Sequence, residues 1–173
     1  MKVLKRISGL LLLLVLFNAC NKDEEPLSET YLNLIGTWSS TEIKYGVLID
    51  NVSITQYFID ELGYTEAEAE AAVVLFGQAL ASGFVGTLEF KNDNTYIAKF
   101  GGDTVNGTWE LVNSDQQINL KEDGFPEVQE VEIKSVTETT LVVAFDEMTS
   151  DDLDGDGTDE ELSINLELTL DKQ

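Results

Sequence analysis

The sequence predicts a mainly β protein, an eight-stranded up-and-down antiparallel β-barrel with a helical insert between its first and second strands. Three observations carry this. From Gly86 onward, apolar and polar residues alternate in short runs, the period-two mark of strands with one buried face. Asn, Asp and Gly cluster between the runs in loops of roughly two to five residues, so neighbours in sequence become neighbours in space. Residues 53–82 drop the alternation and take up helical spacing instead.

The first strand is expected over Gly36 to Tyr45. Within the insert, Thr65-Glu66-Ala67-Glu68 reads as a capping box, with Thr65 as N-cap and Glu68 reaching back, and acids suit the positive end of a helix. Ala67, Ala71, Val74, Leu75, Ala79 and Leu80 recur at helical spacing until Ser82-Gly83 ends the run. A shorter helix is expected over Ile54 to Leu62, stopped at Gly63. The two helices should lie across one mouth of the barrel or pack on its wall.

After Gly86, Leu88 and Phe90 alternate with Glu89 and Lys91, and Asn92-Asp93-Asn94 turns the chain. Tyr96, Ala98 and Phe100 form the next inward set, closed by Gly101-Gly102-Asp103. Thr104 to Val112 carries Trp109 and Leu111, and Asn113-Ser114-Asp115 ends it. Ile118 and Leu120 lie on a short strand ended by Asp123-Gly124-Phe125-Pro126. Val131 and Ile133 share one face of Val128 to Val136, and Leu141 to Phe145 is apolar enough for burial on both faces. In the last strand, Leu162, Ile164, Leu166, Leu168 and Leu170 alternate with Ser163, Asn165, Glu167 and Thr169. A slip of one residue would turn all five apolar side chains into water, so the pattern fixes the register. Eight such strands close into a barrel that side chains can fill or that can hold one small ligand, and closure removes exposed edges.

Ahead of the barrel, Lys2, Lys5 and Arg6 precede an apolar run from Ile7 to Phe17, and Asn18-Ala19-Cys20 follows. This is the three-part plan of a secretory signal peptide, and the run is shorter than the about 20 apolar residues a spanning helix needs. Phe17-Asn18-Ala19-Cys20 resembles the lipobox of bacterial lipoproteins, which implies cleavage after Ala19 and a lipid on the Cys20 thiol. Cys20 is the sole cysteine, so no internal disulfide forms, and lipidation removes a thiol that would otherwise stand exposed. Each buried acyl methylene adds about 0.8 kcal/mol of membrane affinity, and two chains anchor stably. Lys22, Asp23, Glu24 and Glu25 resemble an export signal that some Gram-negative bacteria use to send lipoproteins to the outer face of the outer membrane. By charge alone the same run is a solvated tether. The expected organisation is a signal peptide over 1–19, an acidic flexible tether over 20–30 and the barrel domain over 31–173.

Composition narrows the function classes. The signal peptide takes three of the ten basic residues and none of the 33 acids, leaving seven against 33 and a net charge of −26. A chain so acidic repels phosphate backbones and is not a nucleic-acid binder. With 43% apolar residues it nonetheless reads as packed rather than disordered. Histidine is absent and Cys20 is committed to lipid, which removes Ser-His, Cys-His and His-ligated zinc chemistry.

Leu34-Ile35-Gly36-Thr37-Trp38 resembles the Gly-x-Trp opening of lipocalins, in which glycine lets the chain turn in and tryptophan closes the barrel floor. Gly86 to Tyr96 and Gly107-Thr108-Trp109-Glu110-Leu111 also look like the middle repeats of bacterial lipocalin-like lipoprotein domains. The resemblance spans most of residues 32–170. It implies a calycin-type barrel whose relatives bind a small apolar molecule or have no established ligand, and it brings no catalytic residues. The helical insert departs from the plainest lipocalin plan.

Four sets of residues are candidate sites. Asp152, Asp154 and Asp156, with Gly157 at the sixth position and Thr158 offering a carbonyl at the seventh, match the first half of a calcium loop. Glu160 or Asp159 can supply a later ligand, because the twelfth position is Ser163. The same segment reads equally as an acidic hairpin loop that needs glycine to turn. Trp38, Phe90, Tyr96, Phe100 and Trp109 form either a core or the lining of a ligand cavity. Tyr45, Tyr57 and Tyr64 lie near the insert and are expected around a mouth. Asp60 with Glu61, and Glu130 with Glu132, are the carboxylate pairs a glycosidase would need, but Glu130 and Glu132 fall on the polar face of their strand.

The expected function is that of a lipoprotein anchored at the outer membrane, on the cell surface or on the periplasmic face, whose barrel binds a small apolar ligand or a partner protein. The other reading is an interaction component of an envelope assembly, with a filled barrel and no small ligand. Neither is an enzyme.

Overall fold

The computed structural model describes residues 27–173. The signal peptide, Cys20 and the Lys22, Asp23, Glu24 and Glu25 run lie outside the described residues. The chain runs α1 (Glu29–Leu34), β1 (Gly36–Ile49), β2 (Val52–Ser53), α2 (Ile54–Asp60), α3 (Glu66–Gly83), then β3 (Gly86–Phe90), β4 (Thr95–Phe100) and β5 (Asp103–Val112). β6 (Gln117–Glu122), β7 (Gln129–Val136), β8 (Thr140–Asp151) and β9 (Glu160–Lys172) complete it. Each strand from β3 to β9 pairs antiparallel with the next, β1 pairs with β3, and β1 returns to pair with β9. The result is a closed eight-stranded antiparallel barrel with its helical insert between the first two barrel strands, as the pattern predicts. β2 is a two-residue hairpin return on the end of β1.

Two strands are longer than expected. β1 continues to Ile49 because a bulge between Ser40 and Glu42 inserts one extra residue, Thr41. Trp38 points inward before it, and Ile43, Val47 and Ile49 share the buried side after it. β8 runs on to Asp151, where its outer half is exposed and is held by pairing with β9 rather than by burial. Along Leu141 to Phe145, Leu141 and Val143 are buried while Val142 and Ala144 are only half-buried, so one face dominates.

The core divides in two. Inside the barrel, Trp38, Phe90, Trp109, Ile118, Leu141 and Leu170 are at most 2% exposed. Beyond one end, the far half of β1 and the start of β9 carry Val47, Ile49, Ile164 and Leu166, on which α2 lays Ile54 and Tyr57 and α3 lays Val73, Phe76 and Leu80. Ile43, Phe84 and Phe145 belong to both clusters and join them. The insert therefore covers a strand extension at one mouth. At the other end sits α1, a helix that was not expected. Ser28 caps it by accepting the Tyr31 N–H, so ordered structure begins inside the segment expected as tether. Leu34 is fully buried, and its carbonyl accepts the Trp38 indole N–H at 2.8 Å.

The capping box at Thr65 forms as expected. The Thr65 hydroxyl accepts the Glu68 N–H, while the Glu68 carboxylate accepts the Thr65 N–H at 2.8 Å. The bonds that the Thr65 N–H and the Thr65 hydroxyl donate to it hold the Glu68 carboxyl below the usual range. A lowered folded-state pKa means the contribution is present above the ordinary glutamate value and is lost as pH falls through the lowered one. Thr65→Ala is expected to lower stability by about 0.5–2 kcal/mol, read as a shift in urea midpoint at constant slope.

Candidate functional site

The five aromatics proposed for a cavity fill the barrel. Trp38, Phe90 and Trp109 are 0–2% exposed, Tyr96 is buried, and Phe100 packs against the same cluster. Phe90 meets Trp109 edge-on with ring centroids 5.1 Å apart, and Tyr31 of α1 stacks on Trp109 at 5.0 Å. The Trp109 indole N–H donates to the Lys91 carbonyl at 3.1 Å. At the floor, Lys172 lies over the Trp38 ring at 5.0 Å and donates to the Asn33 carbonyl at 2.8 Å. Lys172 crosses Gly36, whose φ of +135° favours glycine, and a Cβ there would sit 2.7 Å from the Lys172 Cε and push the end of that side chain aside. Of the five, Tyr96 alone borders a groove, a recess of about 240 Å³ shared with Leu120, Phe125 and Val128. That is below the about 300–1,000 Å³ usual for a small-molecule site.

The larger hollow lies outside the barrel wall. A groove of about 810 Å³ is bordered by Lys44, Glu130, Glu132, Lys134, Asn165 and Glu167 among others. Alternation places these opposite the inward Val131, Ile133, Leu166 and Leu168. Glu167 pairs with Lys44 at 2.8 Å, which holds the carboxyl below its usual range and raises the lysine. Glu132 pairs with Lys134 at 2.5 Å. Glu130 and Glu132 are thus on a solvated exterior, as expected.

The acidic segment joins β8 to β9. The Asp152 carboxylate accepts the N–H groups of Gly155 at 2.8 Å and Gly157 at 3.1 Å. Asp154 accepts the Asp156 N–H at 2.9 Å, and Asp156 the Thr158 N–H at 2.7 Å. These bonds wind the loop so that one carboxylate oxygen from each of Asp152, Asp154 and Asp156 lies within 4.8 Å of the others. Glu160, 7% exposed, folds back to accept the Leu153 N–H at 2.7 Å.

α2 brings Tyr57 to this loop. Its side chain is 3% exposed, and its hydroxyl sits beside Glu160 and Asp154 without a hydrogen bond of acceptable geometry. Burial pushes the hydroxyl pKa up to about 12, and the charges of Glu160 and Asp154 add to the effect. Tyr57, Asp60, Glu61, Asp154, Asp156 and Glu160 border one groove of about 360 Å³, which Asp50, Val52 and Thr158 complete. Sequence reasoning placed Tyr57 only near a mouth, and no local signal links it to a loop so far along the chain. Tyr45 lies against Gly77 of α3, and Tyr64 is exposed beside Phe58.

No family model matches the chain. No curated protein matches it either. Among solved structures it is similar to the crystal structure of a DUF4847 family protein from Bacteroides vulgatus ATCC 8482, 16% identical over 77% of this chain and 93% of that one, with a TM-score of 0.35. The barrel itself is defined by its own strand pairing, which closes at β1 and β9.

Proposed function

We propose that this chain is a lipid-anchored envelope protein whose filled barrel is a rigid scaffold for contact with another envelope protein, with no small apolar ligand inside and no reaction of its own. The packed interior supports this most. The large side chains of the barrel core are 0–2% exposed, both indole N–H groups are spent on backbone carbonyls, and helices stand at both ends of β1. Apolar area is offered outward instead, by Val74 and Leu75 on α3 and by Val85 and Met148, each more than half exposed. The lipobox resemblance at Cys20 and the run from Lys22 to Glu25 support an anchor at the outer membrane, with the cell surface as the favoured face.

Two measurements test the reading. Cys20→Ala is expected to move the protein from the membrane fraction to the soluble envelope fraction. An unchanged membrane distribution would remove the lipid anchor. The native protein is expected to leave an apolar fluorescent fatty acid free at micromolar concentration. Saturable one-to-one binding that quenches tryptophan emission would replace the scaffold with a carrier.

A further inference from the structure

We propose that the β8–β9 loop holds one calcium ion among the carboxylates of Asp152, Asp154 and Asp156, with Glu160 and Tyr57 behind it, so that the ion ties α2 to the hairpin. This goes beyond the scaffold reading and does not depend on it. Acid clusters on an exposed loop are common, and by themselves they specify nothing. The independent observation is Tyr57. A buried hydroxyl without a well-formed hydrogen bond is costly, and native folds keep few of them; Tyr57 has only the nearby Glu160 carboxylate, in poor geometry. Its hydroxyl stands on the wall of the groove that Asp154, Asp156 and Glu160 also border. A cation carrying bound water, or an oxygen directly on the cation, supplies the missing partner.

Charge points the same way. No lysine or arginine borders this groove among the described residues, although six carboxylates from three parts of the chain do. Glu160 is buried, and a buried carboxylate needs a compensating charge. The donors are all oxygen, from carboxylates, the Thr158 carbonyl and the Tyr57 hydroxyl, which is the hard set that suits calcium, with its six to eight flexible ligands. The Asp152 carboxylate already accepts N–H groups from the loop interior, so the winding that a bound ion requires is in place. Glu160, the first residue of β9, folds back to accept the Leu153 N–H and stands behind the three aspartates. Affinity should fall in the extracellular class, with Kd about 10⁻⁴–10⁻³ M.

The test uses the full-length protein in thermal melts with 10 mM calcium, 10 mM magnesium or chelator. Calcium is expected to raise Tm by about 3–10 °C over chelator, and magnesium by much less. The paired substitution Asp154→Asn with Asp156→Asn is expected to abolish the calcium response while keeping the fold. Tyr57→Phe is expected to melt no lower than the parent in chelator, since it removes an unpaired hydroxyl, yet to need several-fold more calcium for the same shift. No calcium shift in the parent overturns the proposal. So does an equal shift with magnesium, or an undiminished shift in the double variant, since either marks general screening of acidic charge. If Tyr57→Phe titrates like the parent, the tie to α2 is overturned.

Discussion

Trp38→Ala is expected to cost about 3–5 kcal/mol and to leave a protein that unfolds at a much lower urea concentration. The indole is fully buried at the floor of the barrel, and three separate groups rest on it. Its N–H is the donor that ties the end of α1 to β1 through the Leu34 carbonyl. Its ring lies beneath the Lys172 ammonium at the end of β9. Its body packs with the cluster containing Phe90 and Leu170. Truncation opens a cavity and strands the Leu34 carbonyl in a dry site, so transfer, cavity and unpaired-acceptor terms all act in one direction. Trp38→Phe separates them, because it restores most of the volume and leaves the carbonyl unpaired. Its loss should be smaller than the alanine loss and fall near the about 1–3 kcal/mol of an unmet buried acceptor. If alanine costs less than 1 kcal/mol by urea titration, the floor is not where the barrel is closed.

Gly107→Ala is expected to be nearly as damaging, despite adding a single methyl group. A Cβ at this position on β5 would lie 2.1 Å from the Lys121 carbonyl oxygen of β6 and 2.7 Å from the Tyr96 ring of β4. The ring can turn aside, but the carbonyl belongs to the ladder between β5 and β6 and cannot move without breaking it. Overpacking of this kind costs about 1–3 kcal/mol, and more when backbone must give. Gly83→Ala is the control, since nothing lies within 4 Å of its added Cβ. Equal melting temperatures for the two variants would show that β5 and β6 separate more readily than their pairing implies.

The strands were legible because their burial is one-sided. Every apolar position of the Leu162 to Leu170 run faces in, and short Asn, Asp and Gly turns leave the chain little choice but to pair with its neighbour. Thr65 and Glu68 marked the helix start because a capping box is a local bond pattern. What escaped reading was non-local. Gly46 to Ile49 does not look like a half-buried strand, since its inward set is re-phased by the Thr41 bulge and Leu48 is left 38% exposed. The outer half of β8 is polar apart from the exposed Met148, so only its pairing with β9 reveals it. α1 is six residues long, too short for a period to show, and its order comes from Leu34 and Tyr31 reaching into the barrel. Of the calcium candidates, the spacing of the three aspartates was visible, whereas Tyr57 joins them through folding alone.

The closure of β1 on β9 also orders events in time. The salt bridge from Lys44 to Glu167 joins residues 123 positions apart, and apart from the two-residue β2 return the far half of β1 finds its partner only in that last strand. A growing chain can zip β3 through β8 pair by pair as each hairpin appears, but its first strand stays half unsatisfied until β9 arrives. Loop closure over such a span is slow relative to the local hairpins. The seam is therefore a completeness check: a chain truncated before Glu160 keeps its meander but exposes two open edges, and edges of that kind invite pairing with other chains.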